Sequence, residues 1–293
     1  MVSVIIVNYN TFNITANCIR SVIEFTKEVP YEIILVDNAS TSGNANEFAS
    51  LFPSIKLIKS DKNLGFAGGN NLGIKQASGS YILLLNSDTI LTEDSISKTV
   101  NAAKTHTDLG VVGCRMVFPN GKVQYSARKF RSISWELLDL FRFLLWFLPY
   151  NKRASLMLGK YFKHDKNWQV DWVNGAFFMF PKSVLQLLPN QQLDDRFFMY
   201  GEDVLWCEQI KNLGFVNYFY ADTTIIHINS ASTSASKQLQ LKKVMLKHEK
   251  EIMKLRKGVG LYYFIFSLVF SAKENARYYI KRLIFLLTGK LVG

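Results

Sequence analysis

From its first residues the chain alternates two kinds of apolar pattern. Residues 2–7, 32–36, 55–58 and 81–85 are short apolar runs rich in β-branched side chains, which read as strands buried on both faces. Between and after them, residues 14–25, 44–51, 70–77 and 93–104 carry apolar side chains at three- and four-residue spacing, the period of a helix with one buried face. Alternation at this spacing predicts βαβ units. The expected fold class is α/β, a mostly parallel central sheet with helices on both faces. Further on, a helix is expected over 205–213, stopping near Gly214, followed by a strand through Ile225 and Ile226 to His227.

After residue 236 the pattern changes. Residues 258–272 form an uncharged run that as a helix would reach about 22 Å, short of the roughly 30 Å hydrocarbon core of a bilayer. Beyond it, Lys273, Arg277 and Lys281 recur every four residues, with Ile280, Leu283, Ile284, Leu287 and Leu291 on the other side. Two readings stand: an interfacial membrane helix with a basic stripe, or an amphipathic helix packed on the body. A second apolar patch, 137–148, has polar positions at Glu136, Asp139 and Arg142. It reads either as the same kind of surface helix or as core.

Charge sharpens the division. The 293 residues carry 35 basic and 23 acidic side chains, net +12, and are 48% hydrophobic, which excludes disordered, collagen-like and disulfide-stapled chains. Residues 237–293 hold thirteen of the basic and three of the acidic side chains, so the tail is +10 and the first 236 residues only +2. The expected division is therefore a body over 1–235 and a basic, amphipathic helical tail over 236–293. A nucleic-acid partner would want basic residues interleaved with stacking aromatics over the fold itself, so the expectation is no nucleic acid, and an anionic membrane surface met through 258–293. Cys18, Cys114 and Cys207 are odd in number and widely spaced, and the N-terminus has no basic region before its apolar stretch. A cytoplasmic location follows, peripheral on the inner face of the cell membrane.

In an open parallel sheet, ligands bind beyond the carboxyl ends of the strands. Here those ends read Asn8-Tyr9-Asn10, Asp37-Asn38 and Asn86-Ser87-Asp88. A dinucleotide fingerprint would put glycines after the first strand, but residues 8–13 have none, and the glycine-rich stretch 65–71 follows the third. An Asp at the second strand end can accept a hydrogen bond from the ring N–H of uracil or thymine. An Asp at the fourth can hold a divalent cation against a diphosphate. Asp and Asn also bond their own backbone at such ends, so each residue alone fits a structural role. Glu202 and Asp203 lie at the start of the 205–213 helix, where carboxylates suit the helix dipole and where a catalytic base would gain a rigid mount. His227 is either a structural strand-end histidine or a metal ligand.

Together these residues carry a resemblance. The segments VSVIIVNYN (2–10), EIILVDNAST (32–41), NLGFAGGNNLGI (63–74), YILLLNSDT (81–89), WVNGAFFMF (172–180), FFMYGEDVLWCEQI (197–210) and IIHINSAS (225–232) resemble, in order, those of inverting family-two glycosyltransferases of the GT-A fold, in the bacterial rhamnosyltransferase-like branch. The resemblance implies a nucleotide-sugar-binding half, 1–125, and an acceptor-binding half, 126–235. It implies Asp37 as partner of the base, with Asn8, Tyr9, Asn10, Asn38, Gly65 and Asn70 around the donor. Asn86, Ser87 and Asp88 match a metal-binding DxD-like motif, with Asn86 replacing its first Asp. Asp88 and His227 would then hold Mg²⁺ or Mn²⁺. Asp203 matches the catalytic base and Glu202 its neighbour, while Arg128, Trp172, Gly175 and Ala176 line the acceptor and sugar pocket. The implied reaction moves rhamnose or another hexose from a dTDP- or UDP-sugar to a cell-surface glycan or a polyprenyl-linked glycan. A nucleotidyltransferase is the alternative enzyme, and it would want a basic, glycine-rich N-terminal loop that this sequence lacks.

Overall fold

A computed structural model describes residues 1–228 and 235–288. In chain order the first half runs β1 (Val2–Asn8), α1 (Phe12–Phe25), β2 (Tyr31–Asp37), α2 (Asn46–Leu51), β3 (Lys56–Lys59), α3 (Gly65–Ile74), β4 (Tyr81–Asn86), β5 (Thr89–Leu91), α4 (Ser95–Lys104) and β6 (Leu109–Val117). Then come β7 (Val123–Gln124), β8 (Ala127–Arg128), α5 (Ile133–Leu140), the 3₁₀ turns of Arg142–Phe147, α6 (Tyr150–Met157), β9 (Trp168–Val170), β10 (Trp172–Val173), β11 (Phe177–Pro181), α7 (Glu202–Asn212) and β12 (Val216–His227). Helices α8 (Ala235–Lys257) and α9 (Leu261–Thr288) follow. Residues 229–232 and Leu291 lie outside the described residues.

The main sheet has the order β3-β2-β1-β4-β11-β6-β12-β5. Pairing is parallel from β3 to β4 and between β6 and β12, while β11 runs antiparallel between β4 and β6. Alternation along β1 explains the double burial. Val2, Val4 and Ile6 face a core shared with α1 and α4, whereas Ile5 faces one shared with α3 and α7. Because β1, β2 and β4 are parallel, Asn8, Asp37 and Asn86 end at one edge, with Asn8 opposite Asp37 and Asn86 opposite Val7. Antiparallel β11 begins at that same edge, where Phe177 pairs with Leu85, and β12 ends there, where His227 pairs with Thr89.

Two expectations need correction. Helix α3 begins at Gly65, not near Asn70, so the glycine-rich stretch is itself helical. Glycine is a poor helix former, but packing decides: a Cβ on Gly69 would lie 2.9 Å from Val7, and one on Gly73 2.5 Å from Ile5. The glycines let this helix sit directly on β1. The second correction concerns the tail, where Lys273 and Arg277 of the basic stripe turn inward. The Lys273 side chain is only 3% exposed and pairs with Glu136 and Asp139 of α5 and with Glu274. Arg277 meets Asp139 at 2.8 Å and Glu274 at 3.0 Å. A charge leaves water only when it is paired, and α5 supplies the acids. Many of the apolar side chains of 137–147 and of α9, Phe143, Phe147, Leu268 and Leu283 among them, are left outside, while Leu145, Phe266 and Phe270 are buried.

Candidate active site

At the edge formed by β1 and β2, the Asn8 amide donates to Asp37 Oδ1 at 2.7 Å, and its Oδ1 accepts from the hydroxyls of Thr11 and Thr15. Ser40 closes the turn, its hydroxyl donating to Asp37 Oδ1 at 2.6 Å and its N–H to Oδ2 at 3.2 Å. Asp37 is thus pinned and buried, yet a carboxylate accepts about four hydrogen bonds, which leaves one acceptor direction for a base N–H. Tyr9 is exposed beside it. Asn10, at φ 58°, accepts from the backbone N–H groups of Thr41 and Ser42 and ties the two loops together. Asn38 and Asn70 are occupied internally. The Asn38 amide bonds Asn63, Leu64 and Gly65, and Asn70 donates to the Phe66 carbonyl one helical turn back.

Gly65 joins this half to the loop before α7. Its φ is +73°, and a Cβ there would stand 2.2 Å from the Phe198 carbonyl oxygen, to which the Phe66 N–H donates. Gly65→Ala is therefore expected to cost about 1–3 kcal/mol of unfolding free energy from backbone strain, with the clash added. Chemical denaturation reads that loss directly, and a midpoint equal to the parent's would contradict it.

The Asn86-Ser87-Asp88 turn lies against the end of β12. His227 Nε2 is 3.3 Å from Asp88 Oδ1 and 3.4 Å from Asn86 Nδ2. Gln124 sets the state of this ring. Its Nε2 donates to the His227 backbone carbonyl at 2.6 Å, which can only accept, so its Oε1 is the atom facing His227 Nδ1 at 2.8 Å. Nδ1 must therefore carry the hydrogen, and in the neutral ring the Nε2 lone pair points at Asp88. The Asn86 amide turns its Nδ2 toward the ring, while its Oδ1 is buried with no hydrogen-bond partner among the described residues. A carboxylate oxygen and an imidazole lone pair are donors that suit Mg²⁺ or Mn²⁺. Outer partners of ligating histidines typically control affinity about 10–100-fold, and Gln124→Leu is expected to weaken Mn²⁺ binding by that factor. Titration followed by Mn²⁺ paramagnetic relaxation tests it, and unchanged affinity would remove Gln124 from this role.

The carboxylate pair heads α7, whose N-cap Gly201 has φ 95°. The backbone N–H of Gly175 donates to Asp203 Oδ2 at 3.1 Å and that of Val204 to Oδ1 at 2.9 Å. Burial raises both acids above the ordinary carboxylate range, and the charge on Asp203 raises Glu202 further. Glu202 Oε2 is buried with no hydrogen-bond partner among the described residues. Sharing one site, the pair favours a single negative charge, and the two N–H donors place it on Asp203. Residue 176 connects this base to the turn at Asp88, because the Ala176 carbonyl accepts the Asn86 N–H at 3.0 Å. At Gly175 a Cβ would meet Phe66 at 3.4 Å and Asp203 at 3.5 Å, which are ordinary contact distances. Arg128 lies over the Trp172 ring at 5.5 Å, and the indole N–H bonds the Lys129 carbonyl.

Helix α8 supplies contacts that motif reading misses. His248 stacks on Phe197 with ring centroids 4.2 Å apart and meets the Tyr200 carbonyl at 2.6 Å, while Ile252 packs with Phe197, Val204 and Leu205. Glu249 pairs with Arg131 at 3.1 Å. The loop that carries Asp203 is thus braced by the tail. Amphipathic spacing hints that α8 packs somewhere, but not that it packs here.

The glycosyl transferase family 2 model matches residues 3–187. The O-antigen biosynthesis protein RfbC of Myxococcus xanthus is 26% identical over 238 residues, covering 80% of this chain and 18% of its own length. The N-acetylglucosaminyl-diphospho-decaprenol L-rhamnosyltransferase of Mycobacterium tuberculosis is 23% identical over 217 residues, which is 70% of this chain and 69% of that protein. The chain thus spans less than a fifth of the first relative's length and about two thirds of the second's. Among solved structures, the mannosyltransferase PcManGT from Pyrobaculum calidifontis, in complex with GDP-Man and Mn²⁺, aligns with a TM-score of 0.59 at 16% identity over 93% of this chain and 68% of its own. At that identity the likeness speaks for the fold alone. A family match over residues 3–187, which takes in most of the sheet and the turn at Asp88, shows that the chain belongs to glycosyl transferase family 2, in a GT-A architecture.

Proposed function

We propose that this chain transfers a hexose, with rhamnose a leading candidate, from a dTDP- or UDP-sugar to a hydroxyl of a polyprenyl-linked or cell-surface glycan, with inversion at the anomeric carbon. One observation carries the reading: residues 175 and 176 hydrogen-bond Asp203 on one side and the Asn86–Asp88 turn on the other, so a base and a diphosphate site flank one short segment. Asp37, held at the adjacent strand ends, faces the nucleotide base. Asp203 takes the proton from the acceptor hydroxyl, and its raised proton affinity suits that task better than an ordinary aspartate would. The acceptor oxygen then forms the new bond on the face opposite the departing nucleoside diphosphate. When bound at Asp88 and His227, Mg²⁺ or Mn²⁺ supplies charge neutralisation for that leaving group. Glu202 and Arg128 shape the acceptor side, with Trp172 as a wall.

The printed name of the mycobacterial relative, a transferase acting on a diphospho-decaprenol, supports a polyprenyl-linked acceptor. Among the described residues no helix is long and apolar enough to cross a membrane. A peripheral place on the inner membrane face, reached through 258–293, brings the enzyme to such an acceptor and raises its effective concentration. A donor screen with purified protein and Mg²⁺ or Mn²⁺, reading released UDP, TDP or GDP, tests the reaction. Release of UDP or TDP supports the reading, and turnover of GDP-sugars alone would overturn the assignment of Asp37.

A further inference from the structure

Helix α9 has its polarity inside out. Phe266, Phe270, Lys273, Glu274 and Arg277 face the body, whereas Leu261, Phe264, Leu268, Tyr279, Leu283 and Leu287 make an outward stripe at three- and four-residue steps, Leu268 at 72% exposure. Between its two halves the stripe passes Ala272, Asn275 and Ala276, so the Asn275 amide and the Tyr279 hydroxyl are its polar groups there. The neighbouring α5 repeats the arrangement. Glu136 and Asp139 point at Lys273 and Arg277, and Leu137, Leu140 and Phe141 remain in solvent. The turns that follow add Phe143 at 61% and Phe147 at 84% exposure. Two apolar strips therefore border one buried ion-pair cluster, and together they expose far more large apolar side chains than a scattered surface does.

Cations edge these strips. The Arg153 guanidinium lies 4.7 Å from the centre of the exposed Trp146 ring, Lys257 lies 5.8 Å from that of Tyr262, and Lys160 5.1 Å from that of Tyr161. Arg142 and Arg282 are exposed at the same margins. Burial and then the neighbouring Arg142 lower the Lys160 ammonium's pKa. Apolar aromatics in the centre with cations beside aromatic rings at the edge is the pattern of a surface that sinks into lipid while its charges reach headgroup phosphates.

We infer that the outward strips of α9 and of residues 137–147 form one docking face for an anionic lipid bilayer, turned outward by the Lys273–Glu136–Asp139–Arg277 cluster. A second copy of the chain is the rival occupant. An isologous contact would set the marginal cations Arg142, Arg153, Lys257 and Arg282 of one copy against those of another, whereas anionic headgroups complement that charge. The helix lies in the interface and does not cross it. This face rests on the proposed membrane location but enlarges it, because residues 137–147 lie more than a hundred positions before residue 258.

Co-sedimentation of the full chain with vesicles tests it, using phosphatidylcholine alone and phosphatidylcholine mixed with phosphatidylglycerol. The expected result is binding to the phosphatidylglycerol vesicles that weakens as salt is raised. Phe143→Ser with Phe147→Ser and, separately, Leu268→Ser with Leu283→Ser should each reduce partitioning about tenfold or more. Thermal melting and donor hydrolysis should stay at parent levels, which separates loss of docking from loss of fold or chemistry. Parent-like sedimentation of the 143/147 variant would remove that strip from the face. Failure of the parent to bind either vesicle, or a dimer in sedimentation equilibrium that these variants dissolve, would overturn the proposal even if the donor screen succeeds.

Discussion

Asp203→Asn is expected to slow sugar transfer by about 10² to 10⁴, the usual loss when a general base is removed, while donor affinity stays at the parent value. The substitution keeps the volume of the side chain, so its effect is chemical. It is not silent locally. Both oxygens of Asp203 accept backbone N–H groups, from Gly175 and Val204, and an amide can satisfy only one of them. A stability loss of about 1–3 kcal/mol from the unsatisfied donor is therefore expected alongside, partly offset because a buried charge is also gone. Transfer measured with saturating donor and acceptor, beside donor binding by calorimetry, separates the two effects. Turnover within a few-fold of the parent would dismiss Asp203 as the base. The parent's pH profile gives a second reading. The base works ionised and burial raises its pKa, so transfer should fall as the medium is acidified, beginning above the ordinary aspartate value of about 3.9. The descending limb should vanish in Asp203→Asn.

What sequence alone reveals follows from how local each feature is. Asp37, Asp88 and His227 stand at the ends of apolar runs, and Glu202 and Asp203 open an amphipathic helix, so their positions on one sheet edge can be read once a parallel sheet is inferred. Their mutual wiring cannot. Gln124 reaches His227 across 103 positions, and His248 reaches Tyr200 across 48. Such contacts depend on the register of β7 against β6 and on where α8 docks, which no short window encodes. The glycine-rich stretch misleads for a related reason. Its propensity argues against helix, and only the close approach to Val7 and Ile5 of β1 reverses that. In the tail, periodicity marks α9 as amphipathic but does not say which residues meet the body. That choice lies with Glu136 and Asp139, more than 130 positions earlier, which give Lys273 and Arg277 partners that water would otherwise have to replace.

The same cluster yields the largest stability effect expected of any single substitution here. Lys273→Met should cost about 3–5 kcal/mol, the range for removing one partner of a buried ion pair. That is a large part of the roughly 5–15 kcal/mol by which a folded domain exceeds its unfolded chain. Methionine fills most of the space, so the loss comes from Glu136 and Asp139, which stay buried with less positive charge to face. Arg131 still meets Glu136 at 2.9 Å and Arg277 still meets Asp139 at 2.8 Å, which places the cost nearer the lower figure. The pH dependence identifies the cause. Burial alone would raise the Asp139 carboxyl, but Lys273 and then Arg277 bring it below its usual range. A lowered carboxylate contributes stability above its unfolded pKa of about 3.9, and loses it as pH falls through the folded value, so the parent weakens in acid. Without Lys273 the balance shifts toward burial, which favours the protonated acid, so the deficit of the variant against the parent should shrink as the medium is acidified. Urea denaturation at pH 7.5 and pH 4.5 measures both differences. A deficit that is equal at the two values would mean that Lys273 acts by packing rather than by charge. Adding Glu136→Gln to Lys273→Met should restore part of the stability at pH 7.5, because the amide removes a buried charge that Arg131 alone would otherwise have to offset.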